Sequence, residues 1–164
     1  MAELNLGKIV NTYGLNGELK LLTDPLYGDL EFKKNAEIKI ANKVYRLRNY
    51  RRNKNLIRFS LVEHEDINAV EALIGETVMI DSSELKKLNE DEFYSFELLG
   101  FDVVDESGND IGKIIRIKDS GWQKILRIKG SQKKDILIPW VAFFVKEIDR
   151  ERQTVRVETI EGLI

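Results

Sequence analysis

Short stretches of alternating apolar and charged residues recur along this chain, separated by turn-forming residues at intervals of about 8 to 12 residues. Residues 37–40 read Glu-Ile-Lys-Ile, which is the period-2 pattern of a half-buried strand. Gly14 and Gly17 lie three residues apart between two apolar runs, which predicts a turn that needs positive φ. The pattern therefore predicts an all-β chain built as a small barrel or sandwich.

One helix interrupts the strands, and a polar segment divides the chain. Asp66 is a good N-cap for an apolar pattern at helical spacing, and Gly75 stands where a glycine commonly ends a helix. We predict a first domain at 1–84, a linker at 85–92 and a second domain at 93–164. Each half is small, so each hydrophobic core should be thin.

Residues that carry catalysis or bind metals are scarce. The chain has no cysteine and a single histidine, His64, in an acidic run. This excludes a disulfide framework and leaves little basis for a zinc site. No sequence motif of nucleotide binding or hydrolysis is present.

The start is not basic and precedes no long apolar run, so we expect neither a signal peptide nor a membrane span. We expect the protein not to be an enzyme and to bind neither a metal ion nor a cofactor. We expect it to be located in the cytoplasm.

The net charge is −2, but the positive charges are clustered. Residues 43–58 hold seven Lys or Arg and no Asp or Glu, while 113–134 hold eight basic residues and one acidic residue. We predict a hairpin of strands at 44–50 and 56–61 with the polar tip 51–55. Arginine forks bind phosphates and tyrosines stack on bases, so the hairpin is a candidate RNA site. Its predicted RNA-binding residues are Arg46, Arg48, Arg51, Arg52 and Lys54. Alternatively, these charges only prevent strand aggregation.

Aromatic residues cluster at the start of the second half. Residues 93–96 read Phe-Tyr-Ser-Phe, and in a strand at least one ring would point away from its own core. Exposed aromatic side chains often anchor protein contacts. We therefore predict a protein-binding site formed by Phe93, Tyr94, Phe96 and Trp122. Alternatively, the rings fill a gap between the two domains.

An ordered set of short segments resembles the family of the ribosome maturation factor RimM. The first segment, 7–20, reads GKIVNTYGLNGELK, and the others follow it in the family's order to the C-terminus. They are residues 69–75, 91–94, 98–100, 136–139, 145–149 and 161–164.

The resemblance implies a fold, partners and a function. The implied fold is two small β-barrels joined by a short linker: an N-terminal six-stranded barrel like those of translation factors, and a C-terminal PRC-type barrel. The implied role is to bind the small-subunit precursor (pre-30S), contact a ribosomal protein of the head, protein nineteen of the small subunit, and assist head assembly and rRNA processing. Phe93 and Tyr94 would belong to the ribosome-binding surface. We expect a monomer. The alternative is a generic RNA-binding module that uses 43–58.

Overall fold

The computed structural model describes residues 2–119, 123–130 and 134–159, and its chain divides into two compact units. The units are Met1–Lys87 and Leu88–Ile164. Strands are the main secondary structure of both, which confirms the all-β prediction.

The first unit is a closed, six-stranded antiparallel barrel in the order β1-β2-β5-β4-β3-β6. Its strands are β1 Glu3–Tyr13, β2 Glu18–Thr23, β3 Glu37–Ile40, β4 Lys43–Asn53, β5 Leu56–Leu61 and β6 Thr77–Asp81. Apolar side chains at every second position point inward, because successive residues of a strand face opposite sides. In β5, for example, Ile57, Phe59 and Leu61 are buried and the residues between them are partly exposed.

The predicted hairpin forms, but its tip is shorter than expected. β4 continues to Asn53, so Arg51 and Arg52 lie in the strand and only Lys54 and Asn55 form the turn. Lys54 has a φ of 58°, the left-handed conformation that such a tight hairpin turn requires. The polar residues 51–55 were predicted to be the turn, but exposed residues of a strand can be as polar as those of a turn. Polarity alone therefore placed the start of the turn too early.

The predicted helix after Asp66 is also shorter than its pattern suggested. The Asp66 side chain accepts a hydrogen bond from the Asn68 amide, as an N-cap does. The α-helix α1 is limited to Ile67–Val70 and continues as a 3-10 turn, Glu71–Leu73. Further 3-10 turns of this unit are Pro25–Tyr27 and Ser82–Glu84.

Two residues of the predicted linker attach to the first unit. Leu85 is buried and forms a β-bridge with Phe32. The amide of Lys86 donates to the carbonyl of Glu31 at 2.8 Å. The polypeptide thus remains part of the barrel up to this point.

The second unit is a six-stranded sheet in the order β10-β9-β8-β7-β12-β11. Among its described residues, only β12 and β7 pair in parallel. Its core contains, among others, Leu98, Val103, Ile114, Leu126, Ile128, Ile138 and Val155. The strands are β7 Asp102–Val104, β8 Asp110–Asp119, β9 Lys124–Gly130, β10 Ile136–Pro139, β11 Val145–Asp149 and β12 Thr154–Val157.

The aromatic segment 93–96 does not form the strand for which its side-chain directions were considered. A 3-10 turn, Ser95–Leu98, begins directly after Tyr94. The Glu97 carboxylate accepts a hydrogen bond from the Tyr94 amide at 2.7 Å. This contact gives the Tyr94 amide a hydrogen-bond acceptor. In a strand, the acceptor would have been a carbonyl group of a neighbouring strand.

Candidate nucleic-acid interface

The arginines of the basic hairpin lie on opposite faces of the same strand. Arg51 pairs with Arg58 across β4 and β5, whereas Arg52 pairs with the buried Ile57. Because side chains alternate along a strand, Arg51 points outward and Arg52 points to the other face. Adjacent residues with the same side chain therefore have different surroundings.

Arg52 makes its contacts within the first unit. Its guanidinium donates to the Leu30 carbonyl and lies 3.5 Å from the Glu31 carboxylate, and its side chain is only 18% exposed. The Tyr50 hydroxyl donates to the same carboxylate at 2.5 Å. Burial, followed by this hydrogen bond, raises the pKa of Tyr50. These contacts leave neither side chain well placed to meet RNA.

The remaining predicted RNA-binding residues also differ in their partners. Arg46 lies 2.9 Å from the carboxylate of Glu37, and Arg48 forms an ion pair with Glu65. Within the described ranges, Arg51 and Lys54 have no carboxylate at ion-pair distance. Of the five residues, these two are therefore the ones whose charge is not already compensated.

Arg51 belongs to a line of three cations that crosses the outer face of the barrel. Lys20 of β2 pairs with Arg58 of β5, and Arg58 pairs with Arg51 of β4. Neighbouring strands lie about 4.8 Å apart, so the three residues span roughly 10 Å. We call Lys20, Arg58 and Arg51 the cationic row. A groove beside it is lined by residues that include Asn49 and Ser60.

Tyr13 lies next to the cationic row. Its ring centroid is 4.0 Å from the guanidinium carbon of Arg58 and 5.3 Å from the Lys20 ammonium. Among the residues that the structure describes, Glu18 is the one carboxylate at ion-pair distance from the cationic row, 3.1 Å from Arg58. The arrangement presents three cations and an exposed aromatic ring against one carboxylate, which is suited to a phosphate backbone with an unpaired base.

Sequence analysis missed Lys20, Arg58 and Tyr13 as one site, because they come from three strands. The alternation of Glu18-Leu19-Lys20-Leu21 does place Lys20 outside. Only the pairing of β2 with β5 brings it beside the hairpin.

The turn between β1 and β2 packs against the segment before α1. Gly14 and Gly17 both have positive φ, at 68° and 80°. A Cβ atom on Gly17 would lie 2.6 Å from the His64 carbonyl oxygen, whereas nothing lies within 4 Å of the same position on Gly14. The absence of a side chain at Gly17 therefore permits a close approach between this turn and the backbone at His64.

The predicted protein-binding aromatics are mostly enclosed. Phe93 and Tyr94 are 9% and 6% exposed, and Phe96 is half-buried. Phe93 belongs to the core of the second unit. The Tyr94 and Phe96 rings stack with centroids 6.1 Å apart. Trp122 lies outside the described residues.

A further exposed aromatic residue was not singled out from the sequence. Phe143 is 61% exposed and meets Phe144 edge-on, with ring centroids 5.0 Å apart. The apolar run Trp-Val-Ala-Phe-Phe at 140–144 is the signal that could have identified it. It is a further candidate for protein contact, since aromatic residues are enriched at such interfaces.

Metal-binding clusters and membrane-spanning helices are both absent from the described residues. No three His, Cys, Asp or Glu side chains come together there in a way that could hold a metal ion. No helix in the same ranges is long and apolar enough to cross a membrane.

Family models match both units. Residues 4–85 match the model of the RimM N-terminal domain, and residues 95–163 match that of the RimM PRC barrel domain. These matches confirm the resemblance and the predicted pair of β domains.

Full-length relatives carry the same family name. The ribosome maturation factor RimM of Oenococcus oeni is 38% identical over 165 residues, which cover 99% of this chain and 98% of that protein. The RimM of Bacillus subtilis (strain 168) is 32% identical over 171 residues, covering 98% and 95%.

Two solved structures are also similar. One is the crystal structure of a RimM 16S ribosomal RNA processing protein of Pseudomonas aeruginosa, with 19% identity, a TM-score of 0.41, and coverage of 97% of this chain and 98% of that chain. The other is the solution structure of the RimM N-terminal domain of Thermus thermophilus. It has 21% identity and a TM-score of 0.43, and covers 54% of this chain and 100% of that chain.

Proposed function

Because this chain belongs to the RimM family of ribosome maturation factors, we propose that it binds the precursor of the small ribosomal subunit. There it assists assembly of the subunit head and processing of the small-subunit rRNA. It acts in the cytoplasm as a monomeric binding protein, without catalysis and without a cofactor.

The observation that carries the RNA part of this proposal is the cationic row with Tyr13 beside it. Strand pairing fixes the backbone positions of Lys20, Arg58 and Arg51 before RNA binds. Preorganised cations lose less conformational entropy on binding than cations on a flexible loop. Phosphate contacts of this kind supply affinity and orientation without reading sequence.

The protein part of the proposal assigns contact with protein nineteen of the subunit head to the second unit. Phe93, Tyr94 and Phe96 remain its predicted contact residues, and Trp122 remains a further prediction. The burial of Phe93 and Tyr94 favours a division of roles in which they hold the segment in place and the half-buried Phe96 meets the partner. The stack of Tyr94 on Phe96 supports this arrangement.

Assistance in assembly requires unequal binding to two states of the subunit. A factor with the same affinity for immature and mature particles would shift no equilibrium, however tightly it bound. We therefore expect the protein to bind the immature head more tightly and to leave when the mature surface forms.

Co-sedimentation with purified small subunits tests the proposal. The protein should sediment with immature particles and far less with mature ones, and Lys20→Ala with Arg51→Ala should reduce this binding. Equal occupancy of both particles would contradict the assembly function. It would favour a generic RNA-binding module, for which the cationic row alone would suffice.

A further inference from the structure

The second basic segment of the sequence forms an antiparallel pair of strands in the second unit. In β8 and β9, Ile114 lies opposite Ile128 and Ile117 opposite Leu126, and all four are buried. The side chains at the intervening positions therefore face outward. The proposed protein contact through 93–96 leaves this face without a role.

Cations lie directly opposite one another on that outer face. Lys113 pairs with Lys129, and Arg116 pairs with Arg127. Lys118 follows two residues after Arg116 on β8, about 6.6 Å along the strand. Like charges directly opposite each other on neighbouring strands repel and weaken a sheet, and an anion bound beside them would reduce this repulsion. We call these five residues the β8–β9 ladder.

Carboxylates compensate only part of this charge. Asp102 lies 3.2 Å from the Lys113 ammonium, and Asp135 lies 2.7 Å from Arg127. Within the part of the chain that the structure describes, Arg116, Lys118 and Lys129 have no carboxylate at ion-pair distance. All three are exposed.

We propose that the β8–β9 ladder binds the phosphodiester backbone of RNA, as a second RNA-binding surface separate from the cationic row. The ligand is a polyanion with several charges along its length, because the cations without a carboxylate partner are spread over two neighbouring strands and do not converge on one point. The five residues offer only charged donors, so binding is sequence-independent and acts through counterion release. The inference rests on residues of the second unit alone, and the cationic row can fail without affecting it.

RNA binding by the full chain tests this proposal. The probe is a fluorescein-labelled oligouridylate of about 20 nucleotides, titrated at several salt concentrations. Replacing Arg116, Lys118 and Lys129 by Ala should weaken binding about tenfold or more at low salt. The slope of log K against log salt should become shallower by about 2, since each phosphate contact on a single strand contributes about 0.7. The charge-preserving set Arg116→Lys, Lys118→Arg and Lys129→Arg should retain most of the affinity.

A matched control separates a local surface from overall charge. Lys33, Lys34 and Lys87 are exposed residues of the first unit outside segment 43–58, and their replacement by Ala changes the net charge by the same amount. This control should bind RNA nearly as the wild type does.

Unchanged affinity and salt slope in the Arg116/Lys118/Lys129 variant would overturn the proposal, as would equal losses in the variant and the control. Absence of wild-type binding at low salt would overturn it too. A variant that binds RNA normally but loses a protein partner would assign the ladder to protein contact instead. Lys20→Ala with Arg51→Ala, measured in parallel, tests the cationic row separately.

Discussion

The guanidinium carbon of Arg150 lies 4.2 Å from the centroid of the Phe93 ring. The same guanidinium donates to the Glu92 carbonyl at 3.1 Å and lies 3.6 Å from the Glu97 carboxylate. Glu97 in turn accepts from the Tyr94 amide. A single side chain from the turn after β11 thus fixes both ends of the aromatic segment.

Replacement of Arg150 by Ala should therefore destabilise the second unit. A partly exposed cation–π contact and ion pair together contribute about 1–2 kcal/mol to the free energy of unfolding. Urea denaturation measures this change. Arg152→Ala is the control, because Arg152 is highly exposed and lies 3.9 Å from its carboxylate partner Asp149. Equal effects of the two substitutions would show that the contact with Phe93 stabilises nothing.

Gly17→Ala should destabilise the first unit more than Gly14→Ala. At both positions Ala would have to adopt positive φ, which costs roughly 1–2 kcal/mol. At Gly17 the added methyl group also meets the His64 carbonyl, so the total should reach roughly 2–4 kcal/mol. Denaturation curves of the two variants compare these free energies. Equal losses would mean that the backbone near His64 moves away without difficulty.

Arg51→Ala should affect RNA binding, whereas Arg52→Ala should affect the stability of the first unit. Arg51 is exposed opposite Arg58, so its loss should weaken RNA binding and leave stability within about 0.5 kcal/mol of the wild type. Arg52 binds the Leu30 carbonyl and Glu31, so its loss should lower the free energy of unfolding by about 1–3 kcal/mol. Filter binding and thermal denaturation of both variants separate the two effects. A strong stability loss in Arg51→Ala would contradict the assignment of faces.

Asp105 should contribute to the loss of stability in acid. Its carboxylate accepts from the amides of Asn109 at 2.8 Å and Ser107 at 2.9 Å, and the Asn109 bond is the main reason that the pKa of Asp105 is lowered. A lowered folded-state pKa stabilises the protein above the unfolded-state pKa of about 3.9. That stability is lost as the pH falls from there through the folded-state pKa.

Asp105→Asn should consequently have a lower melting temperature than the wild type at pH 7. Below about pH 4 the melting temperatures of the two proteins should become more similar. Melting temperatures between pH 2 and pH 7 measure this. A difference that stays constant over the whole range would show that the carboxylate charge is not involved.

Local patterns predicted the strands well and the side-chain environments poorly. Glu37–Ile40 and Leu56–Leu61 form as strands because one face of each is buried and the other is not. The contrast between Arg51 and Arg52 could not be predicted, because it depends on where the turn falls and on which strand lies opposite.

The aromatic segment differs from the strand that was considered for it. The hydrogen bond from the Tyr94 amide to Glu97 and the contact of Arg150 with Phe93 join sequence positions that no local pattern connects. Hydrophobic periodicity therefore could not predict the burial of Phe93 and Tyr94.

The pairing of β1 with β6 has a consequence for how the first unit forms during synthesis. Leu4 pairs with Ile80, so the barrel cannot close until the ribosome has extruded the chain as far as β6. Until then the edge of β1 that later meets β6 is exposed, and contacts so distant in sequence form slowly. A nascent chain stalled before Thr77 should therefore be sensitive to proteases, and resistance should appear once Asp81 has emerged.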